Sequence, residues 1–140
     1  MSGPVERHPR LDECLAAARE VQTRAYAPYS RFRVGAALLA DDGTIVTGCN
    51  VENAAYPSGI CAERGALMAA VAGGRRRFEL LVLASDGDAP APPCGQCRQV
   101  LVEFAPDLPV VSVARDGTVA RWVVSELLPH PFLPASLSTP

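Results

Sequence analysis

Apolar residues at Leu11, Leu15, Ala18, Val21 and Ala25 recur at helical spacing, with Asp12 and Glu13 in the first turn, where the helix dipole favours acids. This pattern predicts a first helix broken at Tyr26-Ala27-Pro28-Tyr29-Ser30. The apolar run Val34 to Ala40, the Asp42-Gly43 turn signal and Thr44 to Cys49 predict a hairpin. Asn50 to Gly59 is rich in turn formers and reads as a loop, and the Ala-rich stretch Ile60 to Ala72 is helical and ends at Gly73-Gly74. Leu80 to Ala84 is short and continuously apolar, as a strand covered on both faces should be. A loop from Asp86 to Pro93 leads to a helix around Cys94 to Phe104, and Pro109 to Ala114, Asp116-Gly117 and Thr118 to Val124 read as a second hairpin. Ser125 is expected to cap a short turn through Leu128, with an irregular, proline-punctuated segment after it. Strands interleaved with helices favour an α/β layer fold, with the last two strands antiparallel.

A chain of 140 residues with 49% hydrophobic residues is suited to one domain, 1–140, its core over about 11–132 with flexible tails on either side. The formal net charge is −2, and every basic residue is an arginine, scattered except at Arg75, Arg76 and Arg77. No stripe tracks a phosphate backbone, so a nucleic-acid partner is disfavoured. Arg, Asp or Gly interrupts every apolar run well short of the roughly 20 residues that span a bilayer, so no membrane partner is expected. Met1 to Arg10 carries prolines and charges rather than the apolar core of a secretion signal, which predicts a cytoplasmic protein. Five cysteines, an odd number in such a setting, argue against a disulfide framework and raise the question of metal or catalysis.

The chemistry gathers at two predicted helix starts. Cys61-Ala62-Glu63 opens one helix and Pro93-Cys94-Gly95-Gln96-Cys97 the other, which resembles the cysteine-ligated form of the H-x-E…P-C-x-x-C signature of zinc deaminases. A lone C-x-x-C fits a redox pair or half of a structural zinc site equally well; the third cysteine changes that balance. Three thiolates complete no structural tetrahedron, and neither His8 nor His130 lies in a motif that would supply a fourth ligand, so one position is left for water. Glu63, on the same first turn as Cys61, is placed to carry protons without ligating the metal. A site with three thiolates on one Zn²⁺ is singly negative, which weakens the metal's power to acidify water. Helix N-termini withdraw some of that charge, and Arg64 and Arg98, each directly after a critical residue, are expected to donate to the thiolates.

At larger scale the chain resembles the small homotetrameric cytidine deaminases from about Leu11 to Phe132. The resemblance rests on Tyr29-Ser30-Arg31-Phe32-Arg33-Val34-Gly35-Ala36-Ala37, Gly48-Cys49-Asn50-Val51-Glu52-Asn53, Tyr56 to Arg64, Pro93 to Gln99 and Glu126 to Phe132. It implies a three-layer α-β-α fold around a five-stranded mixed sheet, one Zn²⁺ per subunit, and active sites at subunit contacts of a homotetramer. It further implies that Asn50 and Glu52 hold the ribose, that Phe32 packs against the pyrimidine, that the Ala62 N–H contacts the base, and that Phe132 reaches a neighbouring subunit's site. Asn50 and Glu52 flank Val51 at alternating spacing, so both side chains can point one way. Cys14, Cys49 and the tyrosines receive no catalytic role, Tyr56 being a plausible interface residue.

The expected reaction is hydrolytic deamination of cytidine and 2′-deoxycytidine by a zinc-activated water, giving uridine or 2′-deoxyuridine and ammonia, in pyrimidine salvage. Three other readings compete. A deaminase of a modified cytosine nucleoside, such as a nucleoside antibiotic, shares the metal motifs but is disfavoured by Asn50, Glu52 and Phe132. A nucleic-acid editing deaminase is expected to have its last two strands parallel. A non-catalytic zinc-stabilised binding module needs a fourth protein ligand.

Overall fold

The computed structural model describes residues 7–137; the outermost parts of both expected tails, residues 1–6 and 138–140, lie outside the described residues. Its elements are α1 (Leu11–Gln22), β1 (Val34–Ala40), β2 (Ile45–Cys49), α2 (Ala62–Ala72), β3 (Phe78–Ser85), α3 (Gly95–Phe104), β4 (Pro109–Val113), β5 (Val119–Val123) and α4 (Val124–Leu127), with short 3₁₀ turns at Tyr56–Ser58 and Pro134–Leu137. The strands form one mixed sheet in the order β2-β1-β3-β4-β5. Only β3 and β4 run parallel; the β1–β2, β1–β3 and β4–β5 pairs are antiparallel, the last as the Asp116-Gly117 turn predicts. Among the described residues no helix is long and apolar enough to cross a membrane.

The period-two alternation of a strand explains the layers. Leu38, Leu81, Leu83 and Val110 face a core shared with Ala66, Leu67 and Ala70 of α2 and Leu101 and Val102 of α3. The intervening residues, Ala37, Leu39, Val82, Ala84 and Val111, face Leu11, Cys14 and Ala18 of α1. The free thiol of Cys14 is thus an apolar filler beneath α1, and burial pushes it up in pKa.

Both hairpins use the same turn chemistry. Gly43 and Gly117 take φ of 88° and 92°, open to glycine without strain, while the Asp42 and Asp116 carboxylates accept the N–H groups of Thr44 at 3.0 Å and Thr118 at 2.9 Å. Two departures from the sequence pattern have local causes. The first helix stops at Gln22 rather than running to Ala25, because Tyr26 leaves it to pair with the segment after β2: its N–H donates to the Asn50 carbonyl at 3.0 Å and its carbonyl accepts from Glu52 N–H at 2.8 Å. Ser125 does not cap α4. The helix begins two residues earlier than that cap implies, with Val123 at the N-cap position and the Glu126 carboxylate accepting the Val123 N–H at 3.0 Å.

Two glycines set how closely the helices lie on the sheet. A Cβ on Gly35 would run into the Ala18 carbonyl and come within 2.8 Å of Gln22 N, and one on Gly48 would meet Ala66 N and, at 2.6 Å, the Ala62 carbonyl. Gly48 therefore fixes the height of the α2 N-terminus above the sheet. Gly48→Ala is expected to cost about 1–3 kcal/mol through overpacking, read as a lower urea midpoint with an unchanged slope. An unchanged midpoint would mean that α2 does not press on β2 at this point.

Candidate active site

Cys61 and Cys94 occupy the N-cap positions of α2 and α3, both with extended backbone (φ −75°, ψ 155° and φ −68°, ψ 168°). Neither thiol bonds its own helix as a cap, so both are available beside free N–H groups and the positive end of a dipole. Cys97, in the first turn of α3, is fully buried. The sulfurs of Cys61 and Cys94 lie 3.6 Å apart and those of Cys94 and Cys97 3.4 Å apart, with all three within 4.8 Å of one another. Sulfurs bound tetrahedrally to one zinc at about 2.3 Å sit about 3.8 Å from each other. The three thiols, none in a disulfide, therefore fit a single zinc ion.

The loop before α3 is pinned so that Cys94 faces Cys61. At its start Asp86 accepts from Arg33 N–H at 3.1 Å and Nε at 3.0 Å, and from Gln22 Nε2 at 3.1 Å. Further along, the buried Ser112 hydroxyl donates to the Ala91 carbonyl at 2.7 Å.

Glu63 is 6% exposed and lines a cleft of about 280 Å³ together with Phe32, Asn50, Glu52, Ala62, Cys61 and Cys94. Five expected site residues from three separate chain segments thus meet around two of the sulfurs, with Cys97 behind them. Burial pushes the Glu63 carboxyl up to about 7, and the neighbouring Cys61 charge adds to the shift. A carboxyl poised near neutrality can both take and give a proton. Hydrogen bonds from the Cys97 and Cys94 thiols, joined by Arg64, lower Cys61 to about 5, which favours the ligating thiolate; Cys97 is pushed up, because bonding to that thiolate holds its proton in place.

The two arginines part company. Arg64 reaches the Gly59 carbonyl through Nη2 at 3.4 Å, and its Nε is buried without a hydrogen-bond partner. Its guanidinium nonetheless lies near enough to Cys61 and Cys97 to act on them, so a thiolate is the fitting acceptor for that orphaned donor. Arg98 departs from expectation. Its Nε donates to the Pro93 carbonyl and its Nη1 to the Leu127 carbonyl, both at 2.8 Å, so it ties the ligand loop to α4 rather than bonding a sulfur. Phe132 also lies away from the cleft of its own chain: it is 57% exposed, and Gln99 holds its backbone on both sides, Nε2 donating to the Phe132 carbonyl at 2.7 Å and Oε1 accepting its N–H at 3.2 Å.

The side chains of Asn50 and Glu52 also hold the wall that carries Phe32. Asn50 Nδ2 donates to the Phe32 carbonyl at 2.8 Å and Oδ1 accepts the Val34 N–H at 2.9 Å. The Glu52 carboxylate accepts the N–H groups of Tyr29 and Ser30 at 3.0 and 3.1 Å, and the Ser30 hydroxyl as well. Ser30 and Gln99 are the positioning groups that sequence reasoning left without a role, although both stand inside the motifs quoted for the resemblance.

Known proteins similar to this chain fall in one family. The family model described as "Cytidine and deoxycytidylate deaminase zinc-binding region" matches residues 9–113. A cytidine deaminase from Sporosarcina psychrophila is 44% identical over 129 residues, covering 91% of this chain and 95% of the relative. One from Mycobacterium tuberculosis is 48% identical over 115 residues, 82% of this chain and 84% of the relative. Among solved structures, a cytidine deaminase from Burkholderia pseudomallei superposes with a TM-score of 0.84 at 44% identity, covering 86% of this chain and 98% of that one.

Proposed function

The chain belongs to the cytidine and deoxycytidylate deaminase family, and from that premise we propose that it is a zinc-dependent hydrolase converting cytidine and 2′-deoxycytidine to uridine and 2′-deoxyuridine with release of ammonia. The observation that carries this reading is a buried carboxyl, Glu63, facing a nucleoside-sized cleft beside a cluster of three thiols fit for one metal ion.

Cys61, Cys94 and Cys97 would hold the zinc, which when bound supplies the Lewis acidity that turns water into a nucleophile at neutral pH. Glu63 does the proton work: it accepts a proton from the attacking water as the new bond forms at C4 and delivers it to N3. The same carboxyl then takes the remaining proton of the added hydroxyl and passes it to the 4-amino nitrogen, which leaves as ammonia while C4 becomes a carbonyl. One water is consumed, and Glu63 ends the cycle ionised as it began. Asn50 and Glu52 grip the sugar, Phe32 lies against the pyrimidine, and the Ala62 N–H contacts the base. Arg64 donates to the thiolates and draws off some of their charge.

A single domain with its core over residues 11–132, cytoplasmic location and a salvage role belong to the same proposal, as does a homotetramer in which Phe132 enters a neighbour's site. The exposed apolar groups Tyr26, Tyr29, Val51, Tyr56, Ile60 and Phe132 support such an assembly.

Product analysis tests the reaction. Cytidine and deoxycytidine are each expected to yield one uracil nucleoside and one ammonia. Turnover confined to a modified cytosine nucleoside would replace the substrate and keep the chemistry; no ammonia from any cytosine nucleoside would reject it.

A further inference from the structure

Ser30 stands between two clefts, lining the 280 Å³ cleft with Glu63 and a neighbouring one of about 350 Å³ formed with Tyr29, Asn53, Tyr56 and Gly59. Its hydroxyl makes two bonds of fixed direction. The Phe32 N–H, which can only donate, reaches Ser30 Oγ at 3.0 Å, and the Glu52 carboxylate, which when ionised can only accept, takes the hydroxyl hydrogen on Oε2. The hydrogen therefore lies towards Glu52, and one hydroxyl links the two groups assigned to sugar and base.

The backbone supports this arrangement at some cost. Arg31, between Ser30 and Phe32, has φ of 59°, a left-handed conformation uncommon outside glycine, and its N–H closes the turn on the Ala27 carbonyl at 3.0 Å. On the Glu52 side, Oε1 is filled by the Tyr29 and Ser30 N–H groups, so the remaining acceptor position is on Oε2, where Ser30 decides which lobe is left for a ligand. These donors, the Ser30 hydroxyl first, hold Glu52 below the ordinary carboxylate range and so keep it an acceptor.

We propose that Ser30 is a positioning residue for substrate binding, its hydroxyl setting both the carboxylate lobe that Glu52 offers to the sugar and the seat of Phe32 beneath the base. This deepens the nucleoside deaminase reading and rests on it. Ser30 touches neither sulfur nor Glu63 in its hydrogen bonding, so its loss acts on binding rather than on proton transfer.

The test is steady-state kinetics of Ser30→Ala and Ser30→Thr on cytidine, alone and combined with Glu52→Gln, with zinc content and melting temperature measured on each. A hydrogen bond to a charged group predicts that Ser30→Ala raises KM about 10- to 100-fold while kcat falls by no more than about twofold. Ser30→Thr, which keeps the hydroxyl, restores KM to near the parent value. In the Glu52→Gln background the further KM penalty of Ser30→Ala shrinks, as expected for two groups acting through one bond. An unchanged KM in Ser30→Ala, failure of threonine to rescue it, or a full penalty in the Glu52→Gln background would each overturn the proposal while leaving the deaminase reading intact. A parent enzyme inactive on cytidine overturns both.

Discussion

Glu63→Gln is expected to lower kcat on cytidine by roughly 10²- to 10⁴-fold, the range that a positioned proton carrier contributes, while zinc content and fold are retained. Glutamine matches the size of the carboxyl and fits the same buried position, but it cannot pick up the proton of water or return it to N3 and the leaving nitrogen. The fold has no reason to suffer. Glu63 is 6% exposed and its carboxyl is pushed up to about 7 by burial, so the native side chain is already costly to ionise where it stands. The expected signature is therefore a melting temperature no lower than the parent's, one zinc per chain and turnover close to background. Near-normal turnover would remove Glu63 from the mechanism, and loss of zinc would recast it as a ligand or a prop for the ligands.

Cys97→Ala should abolish activity by a different route, loss of the metal. Cys97 is fully buried, its sulfur is 3.4 Å from that of Cys94, and the cluster comprises three thiols among the described residues. Two thiols bind zinc far more weakly than three, so metal analysis is expected to find little zinc in the variant. The protein should still fold, because leucines, valines and alanines on both faces of the sheet form its core without the metal. Zinc binding to the native state raises stability by RT ln(1 + [L]/Kd), about 4 kcal/mol at 1,000 times Kd. Zinc should thus raise the melting temperature of the parent and leave that of Cys97→Ala unmoved, with the zinc-stripped parent and the variant melting close together. A variant that keeps stoichiometric zinc at near-parent affinity would exclude Cys97 as a ligand.

Much of the site is legible because its chemistry is local. Cys94 and Cys97, three positions apart, share one face of an opening helical turn wherever the helix goes, and Glu63 follows the Cys61 N-cap by two positions within the first turn of its helix. The hairpins are legible for the same reason, since Asp-Gly carries its own turn. Features that depend on distant chain segments are harder to read. Arg98 follows a ligand in sequence, yet its hydrogen bonds turn to the Pro93 and Leu127 carbonyls, the second of them 29 positions away. Ser30 is bound to Glu52 across 22 positions by a turn that runs through a left-handed arginine, a conformation no spacing rule announces. The end of α1 is decided by the pairing of Tyr26 with Asn50 and Glu52, a tertiary competitor that overrides an apolar spacing continuing to Ala25. The family resemblance supplied Phe32, Asn50 and Glu52 as a set; the geometry adds that Asn50 and Glu52 also build the wall on which Phe32 stands.

The central claim is that three cysteines hold a zinc ion with which Glu63 deaminates cytidine. Its most direct test follows the cytosine absorbance of cytidine with zinc-loaded protein, with protein stripped by a chelator, and with the stripped protein given zinc again. The account predicts absorbance loss with the first, none with the second and recovery with the third. Equal rates in all three samples, or no loss with zinc fully bound and cytidine in excess, would contradict it.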